Sequence, residues 1–107
     1  YDKTDVYCNL SETEYYTELE TPYRGHRYYA TFTDEQYKSL ITVLRFLTHQ
    51  FDVPREFLPE NERFVLGSNP TLPQFKGITS HVNYQASGKW DIGPAFDWNR
   101  VISGVQR

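Results

Sequence analysis

Cysteine is almost absent from this sequence, and the shortage limits the chemistry that the chain can perform. Cys8 is the single cysteine among 107 residues. One thiol excludes a disulfide bond within the chain, and it also excludes a structural zinc site built from two cysteines and two histidines. The default interpretation of Cys8 is therefore a small buried hydrophobic residue.

The sequence also lacks long apolar runs and an excess of positive charge. No apolar stretch is long enough to cross a bilayer, which takes roughly 20 residues in a helix. The 14 Asp and Glu residues outnumber the 11 Lys and Arg residues, so the formal net charge is −3 at pH 7. This balance argues against a nucleic-acid-binding stripe and permits binding to a neutral or mixed-charge glycan. The length allows at most one small domain.

The first third of the chain predicts one strand followed by a loop. Residues 13–20 are rich in Tyr and Thr and alternate with period two, which is typical of a strand. On such a strand Glu18 and Glu20 share one face by parity. Pro22 is predicted to end the strand because proline cannot donate to the ladder of a sheet. Residues 22–31 are predicted to form a loop.

A long helix is predicted over residues 34–51. Thr33 is a natural N-cap, and Gln36 completes a capping box with it. Phe32 is expected to pack on Tyr37 in the arrangement known as a hydrophobic staple. Apolar residues recur at helical spacing and form one stripe that needs a covering partner: Tyr37, Leu40, Ile41, Leu44, Leu47 and Phe51.

The second half begins with a long irregular segment and ends with a short helix. Four prolines interrupt residues 54–76, so this stretch is expected to be a loop with at most a turn of helix near residues 59–62. Long loops in compact domains are often functional, and this one is a candidate wall of a substrate groove. Residues 96–105 predict a closing helix that places Phe96, Val101 and Val105 on one face.

One short loop brings together an imidazole, an ammonium and a carboxylate. His81, Lys89 and Asp91 lie within eleven consecutive residues, just before Gly93-Pro94. A neutral histidine nitrogen and an aspartate oxygen suit tetrahedral Zn²⁺. A nearby lysine can stabilise negative charge that develops beside the metal. The plainer alternative is a solvated loop in which Asp91 caps the turn.

This loop resembles a motif of a known family. The pattern is similar to the C-terminal motif of the zinc-dependent N-acetylmuramoyl-L-alanine amidases. It consists of His81, seven residues, Lys89, one residue, Asp91, one residue and then Gly-Pro-Ala-Phe-Asp-Trp. Those enzymes are related to the peptidoglycan-recognition proteins and to phage amidases. The family usually has Asp-Pro-Gly-Pro here, and Ile92 stands in place of the first proline. The change removes some rigidity from the loop and leaves each candidate ligand in place.

Two more stretches resemble the family, in the same order along the chain. The run Thr17-Glu-Leu-Glu20 resembles a family strand, Ile-Glu-Leu-Glu, that carries a catalytic Glu. The run Phe32-Thr-Asp-Glu-Gln-Tyr37 resembles the helix start Tyr-Thr-Asp-Ala-Gln. Residues 54–76 have no counterpart. The resemblance implies an α/β fold, a mixed sheet flanked by helices, in which residues 1–107 form the C-terminal portion of a single amidase catalytic domain.

The same resemblance implies roles for individual residues. His81 and Asp91 would be ligands of a catalytic Zn²⁺, and Lys89 would support the transition state. Glu18, the first Glu of its run, would be the catalytic proton acceptor, with Glu20 as the alternative. If Glu18 is not catalytic, the ordinary interpretation is a cross-strand partner for a Lys or Arg.

The family's zinc site needs a further histidine, which lies on a strand upstream of all these motifs. His26 and His49 stand at the wrong places in the order and are interpreted as surface histidines. The third ligand is therefore expected on an N-terminal segment outside these residues, in a partner chain or an adjoining piece. Trp90 is a candidate for stacking on a sugar, whereas Trp98 is expected to pack in the core.

The implied function is peptidoglycan hydrolysis at the amide between N-acetylmuramic acid and the L-alanine of the stem peptide. The expected cofactor is Zn²⁺, the expected partner is peptidoglycan or a muropeptide, and the expected location is the cell envelope or the exterior. Two alternatives stay open. The chain is a non-catalytic peptidoglycan-binding module, or it is a processed fragment, inactive alone, that works only with its partner chain.

Overall fold

The computed structural model describes residues 9, 11–67, 71–85 and 91–107. In these ranges a two-stranded antiparallel sheet is followed by helices, so a combination of sheet and helix is confirmed at this coarse level. None of the described helices is both long enough and apolar enough to cross a bilayer. The principal elements are β1 (Tyr16–Tyr23), β2 (His26–Ala30), α1 (Asp34–Gln50), α2 (Thr71–Gln74) and α3 (Trp98–Val105), with short 3₁₀ turns at Thr13–Tyr15, Glu60–Glu62 and His81–Asn83.

Strand β1 is shifted toward the C-terminus relative to its prediction. It begins at Tyr16, after a 3₁₀ turn, and continues through Pro22 to Tyr23. The predicted stop at Pro22 was therefore wrong. Among the described residues β1 pairs with β2 alone, and the register shifts between Glu18 and Tyr23. Proline is tolerated where a strand pairs on one edge only and the pairing is irregular, because no ladder hydrogen bond there needs the N–H that proline lacks.

Strand β2 occupies half of the segment predicted to be a loop. Tyr23 pairs with His26 across a two-residue turn, in which Arg24 has φ 51° and Gly25 has φ 82°. Two successive positive φ values match the twist of a tight antiparallel hairpin. Gly25 adopts this conformation without steric cost. The loop prediction failed because an Arg-Gly pair lacks the Asn or Asp that usually signals such a turn.

Helix α1 forms as the sequence predicts. It covers Asp34–Gln50, with Phe51 as its C-cap. The backbone N–H of Gln36 donates to Thr33 Oγ1 at 3.1 Å, and the backbone N–H of Thr33 donates to Gln36 Oε1 at 2.8 Å. The rings of Phe32 and Tyr37 lie edge to face with centroids 6.1 Å apart. The capping box and the staple are both confirmed.

The core lies between the first half of α1 and the parallel helix α3. Phe96, Val101 and Val105 are buried in it as predicted, together with Tyr37 and Trp98. Trp98 contacts the Phe96 ring at a centroid distance of 5.0 Å, so its packing role is confirmed. The helix itself begins two residues later than predicted, because Asp97 acts as the N-cap and its Oδ1 accepts from the backbone N–H of Arg100.

The apolar stripe of α1 is covered over only part of its length. Leu47 and Phe51 are 39% and 68% exposed, which contradicts their predicted place in a covered stripe. The reason is length, since the eight residues of α3 extend about 12 Å and the 17 residues of α1 about 25 Å. Thr48 is buried instead, and its hydroxyl donates to the Leu44 carbonyl at 2.7 Å and accepts from Arg55 Nε at 3.0 Å.

The irregular segment after α1 folds back on itself. The predicted helical turn appears as the 3₁₀ turn Glu60–Glu62, and α2 adds one more turn. Phe57 pairs with Ile78 in an isolated parallel bridge, and the Ile78 N–H donates to the Glu56 carbonyl at 2.9 Å. The two ends of this long segment are thereby held together, which fixes the start of the chain leading to His81.

Gly104 sets how closely α1 and α3 approach. A Cβ at this position would lie 2.6 Å from Ile41 Cδ1 and 3.0 Å from its Cγ1 and Cγ2. We expect Gly104→Ala to lower the free energy of unfolding by about 1 kcal/mol, because overpacking outweighs the gain in helix propensity. Urea denaturation measures the change.

The Ile41→Ala background separates the two effects. There the obstacle is gone, so Gly104→Ala is expected to stabilise the protein through its helix propensity. Destabilisation of equal size in both backgrounds would contradict the proposed contact.

Candidate metal centre

The structure brings His81 and Asp91 together across ten residues of chain. His81 Nδ1 and Asp91 Oδ2 are hydrogen bonded at 2.7 Å. The backbone supports this approach, because the Val82 N–H donates to the Asp91 carbonyl at 2.9 Å. Both side chains face solvent, with exposed fractions of 64% and 56%. The pair is therefore a preformed, open cluster of one imidazole and one carboxylate.

The turn that carries His81 is fixed by a buried asparagine. Asn83 is 1% exposed, and its Oδ1 accepts from the Ser80 N–H at 3.1 Å. Its Nδ2 donates to the carbonyls of Glu62 and Val65 at 2.9 and 2.8 Å. A buried amide that satisfies both its donor and its acceptor capacity orders the chain on each side of it. Asn83 thus ties the His81 turn to the irregular segment.

The chemistry of this pair suits a zinc ion. Ligands 2.0–2.1 Å from a tetrahedral Zn²⁺ lie about 3.3 Å apart, so the 2.7 Å separation needs to open by only about 0.6 Å. In that arrangement Asp91 is itself a ligand. In a second arrangement Asp91 accepts the Nδ1–H of His81 and leaves Nε2 to bind the metal. The exposure of both side chains permits either.

Glu18 is placed on the hairpin, where it contacts Tyr28. The two residues are register partners in β1 and β2, and the Tyr28 hydroxyl donates to Glu18 Oε1 at 3.3 Å. The cross-strand partner of Glu18 is thus a tyrosine and not the Lys or Arg of the alternative interpretation. Within the described residues its carboxylate is not brought into contact with His81 or Asp91.

Glu20 lies in the part of β1 where the register with β2 shifts. The carbonyls of both Leu19 and Glu20 accept from Arg27 Nη1, at 3.0 and 3.1 Å. Neighbouring carbonyls of a regular strand point to opposite sides, so this shared donor marks the register shift that follows Glu18. Side-chain exposure still alternates from Glu18 through Leu19 to Glu20, as the predicted parity of Glu18 and Glu20 requires.

The hairpin and the His81 turn are attached to the same segment. The Tyr23 hydroxyl at the hairpin tip donates to the Phe64 carbonyl at 2.5 Å. Val65, the next residue, is held by Asn83. This route connects the strand that bears Glu18 with the turn that bears His81, and it gives residues 62–65 a definite structural role.

Several sequence predictions fall outside the described part of the chain. Lys89, Trp90 and Cys8 lie there, so their predicted roles stay predictions. Among the described residues, no group of three or more His, Cys, Asp or Glu side chains is arranged to hold a metal ion. His49 is exposed on α1, in agreement with its interpretation as a surface residue.

Sequence reasoning missed two residues that shape the candidate centre. A capping box normally has Glu or Gln at its fourth position. The run Ser80-His-Val-Asn83 has Asn there, which was too weak a signal to identify the buried amide. Tyr28 was missed because its segment was predicted to be a loop. Recognition of the hairpin would have placed it opposite Glu18.

Comparison with known proteins adds no relative, because no family model, no curated protein and no solved structure matches this chain.

Proposed function

We propose that the chain is the C-terminal portion of a zinc-dependent N-acetylmuramoyl-L-alanine amidase domain. The observation that carries the proposal is the 2.7 Å approach of His81 and Asp91, which are the two residues assigned as ligands by resemblance. Both are exposed, as ligands that must receive a metal and a substrate need to be. A simple turn-capping role for Asp91 does not require its carboxylate to meet the His81 ring.

In this proposal each side chain has one task at the scissile amide. Zn²⁺, when bound, supplies Lewis acidity that polarises the amide carbonyl and acidifies water. The Glu18 carboxylate accepts the proton of the attacking water and later gives it to the leaving amine. The Lys89 ammonium stabilises the negative charge that develops on the carbonyl oxygen. The hydrogen bond from Tyr28 holds the Glu18 carboxylate in place before reaction.

The finer fold in this proposal is a mixed sheet in which the β1–β2 hairpin is one part. Support comes from the uncovered apolar face of α1, where Val43, Phe46 and Phe51 are each at least half exposed. Such a face is suited to cover by a further segment of the domain. In the proposal that segment also brings the third zinc ligand, a histidine.

We expect the 107-residue chain to bind zinc weakly and through one site. Catalytic zinc normally has three protein ligands, and His81 with Asp91 supplies two. His81→Ala and Asp91→Ala should each weaken binding by about tenfold or more, since removing a ligand costs at least as much as removing a residue that orients one. Isothermal titration with ZnCl₂ measures both effects.

His49→Ala is the matched control because it removes an exposed imidazole from α1. It should leave zinc affinity unchanged. If the His81→Ala variant still binds zinc tightly, the metal binds elsewhere and the proposed centre is wrong. The reaction itself is tested by hydrolysis of a muramoyl-L-alanyl peptide once the segment with the third ligand is joined to the chain.

A further inference from the structure

A groove between α1 and α3 concentrates positive charge on a chain that is acidic overall. Its volume is about 710 Å³, and four of the 11 Lys and Arg residues line it, whereas no described Asp or Glu does. The lining consists of Lys38, Ile41, Thr42 and Arg45 from α1, with Arg100, Ser103, Gly104 and Arg107 from α3 and the residues just after it. This local excess of cations contrasts with the formal net charge of −3.

The four cations form two pairs with the same spacing. Lys38 and Arg45 are seven residues apart on α1, and Arg100 and Arg107 are seven residues apart along α3 and its C-terminal end. Two helical turns separate the backbones of Lys38 and Arg45 by about 10 Å along α1, whereas Arg107 lies two residues beyond the end of α3. Because the helices run parallel, the groove carries positive charge at both ends, with the small residues Ser103 and Gly104 between them.

The fold holds two of these cations in place. Arg45 Nη1 donates to the carbonyls of Gly104 and Arg107 at 3.1 and 2.9 Å. Arg100 lies over the Tyr37 ring at 4.6 Å and pairs with Asp34 at 2.8 Å. The hydrogen bond and the charge of Arg100 lower the pKa of the Asp34 carboxyl. The Gly104 carbonyl does not neutralise Arg45, and Asp34 offsets only one of the four cations, so the described lining keeps a net positive charge.

We propose that this groove binds a linear polymer bearing phosphate groups, such as a polyphosphate or a poly(alditol phosphate). Guanidinium groups match phosphate oxygens in paired hydrogen bonds, and lysine adds a compact point charge. Cationic residues at both ends of the groove favour a chain with several anionic groups over a single small anion. None of the described aromatic residues lines the groove, which argues against single-stranded nucleic acid because its binding relies on base stacking. The site uses no residue of the candidate metal centre.

The test is binding of inorganic polyphosphate to the 107-residue chain at low and high salt. We expect Lys38→Glu to weaken binding about tenfold or more at low salt, because it replaces an attraction by a repulsion. Arg107→Gln should weaken it less, since it only removes a charge. Lys76→Glu is the matched control, because it makes the same change of net charge at an exposed position outside the groove. The affinity of the Lys76→Glu variant for polyphosphate should stay within about twofold of wild type.

Further arms distinguish a phosphate polymer from free phosphate and from a lipid surface. Thermal melting verifies that each variant is folded. Inorganic phosphate alone should bind much more weakly than polyphosphate, and poly(glycerol phosphate) should bind like polyphosphate. Equal weakening by Lys38→Glu and Lys76→Glu would overturn the assignment to the groove. Preference for single-stranded DNA, or binding to phosphatidylglycerol vesicles without binding to soluble polyphosphate, would overturn the assigned class of ligand. Failure of the wild-type chain to bind either soluble polymer would also overturn it.

Discussion

Glu18→Gln is expected to lower turnover by a factor of about 10²–10⁴ while zinc content stays at the wild-type level. The variant keeps the size of the side chain and can still accept the hydrogen bond from the Tyr28 hydroxyl, so the hairpin should be undisturbed. It loses only the ability to take a proton from water. The measurement is hydrolysis of a muramoyl-L-alanyl peptide, with zinc assayed on the same sample, in the protein that includes the third ligand.

Two companion variants distinguish proton transfer from the other roles. Asp91→Ala should lose zinc and activity together, because it removes a ligand or the residue that orients one. Lys89→Ala should keep zinc and lower kcat by about 10²–10³, because the ammonium matters most once the oxyanion has formed. A normal kcat for Lys89→Ala would show that the loop binds the metal but that Lys89 does not stabilise the transition state.

Glu20→Gln is the matched control for Glu18→Gln, since it makes the same chemical change two residues away. It should retain activity. The opposite result, a loss of turnover in Glu20→Gln with normal turnover in Glu18→Gln, would transfer the proton-acceptor role to Glu20. Substrate binding without cleavage in every form, including the wild type with zinc, would favour the non-catalytic recognition module.

The largest effect on stability is expected at Asn83. Asn83→Ala should lower the free energy of unfolding by about 3 kcal/mol, because the carbonyls of Glu62 and Val65 and the N–H of Ser80 all lose their partner. The side chain is fully buried, so water cannot readily replace it. Urea denaturation followed by circular dichroism gives the value. Zinc affinity should fall too, because the same hydrogen bonds position His81.

A nearby asparagine provides the comparison. Asn61 is exposed in the 3₁₀ turn Glu60–Glu62, so Asn61→Ala should change stability by less than about 0.5 kcal/mol. Asn83→Asp keeps an acceptor for Ser80 but directs a carboxylate at two carbonyls, and it should be at least as destabilising as the alanine variant. A loss under about 1 kcal/mol for Asn83→Ala would show that the amide is not the tie between these segments.

Local signals in the sequence were sufficient where neighbours along the chain supply the contacts. The capping box of Thr33 and Gln36 joins residues three apart, and the packing of Phe32 on Tyr37 spans five. The short helix α3 was likewise anticipated from its apolar spacing. In each case the interacting groups lie within about two turns of helix, so composition and period determine the outcome.

Other features of the fold depended on contacts between distant parts of the chain. Thr48 is buried in place of Leu47 because α3 is shorter than α1 and because Arg55 Nε donates a hydrogen bond to the Thr48 hydroxyl. Strand β2 depends on a tight turn at Arg24-Gly25, a pair of residues that does not by itself predict such a turn. The tie between Asn83 and residues 62–65 joins positions about twenty apart, and no periodic pattern encodes such a hydrogen bond.

The sequence by itself determined the capped helix α1, the apolar face of α3 and the choice of His81 and Asp91 as candidate ligands. Only the tertiary structure decided that these two side chains meet at 2.7 Å, that Glu18 faces Tyr28, and that four cations line one groove. Helix starts and apolar stripes arise from interactions over a few residues, whereas the meeting of separate segments depends on how the whole chain packs and on which buried polar groups must find partners.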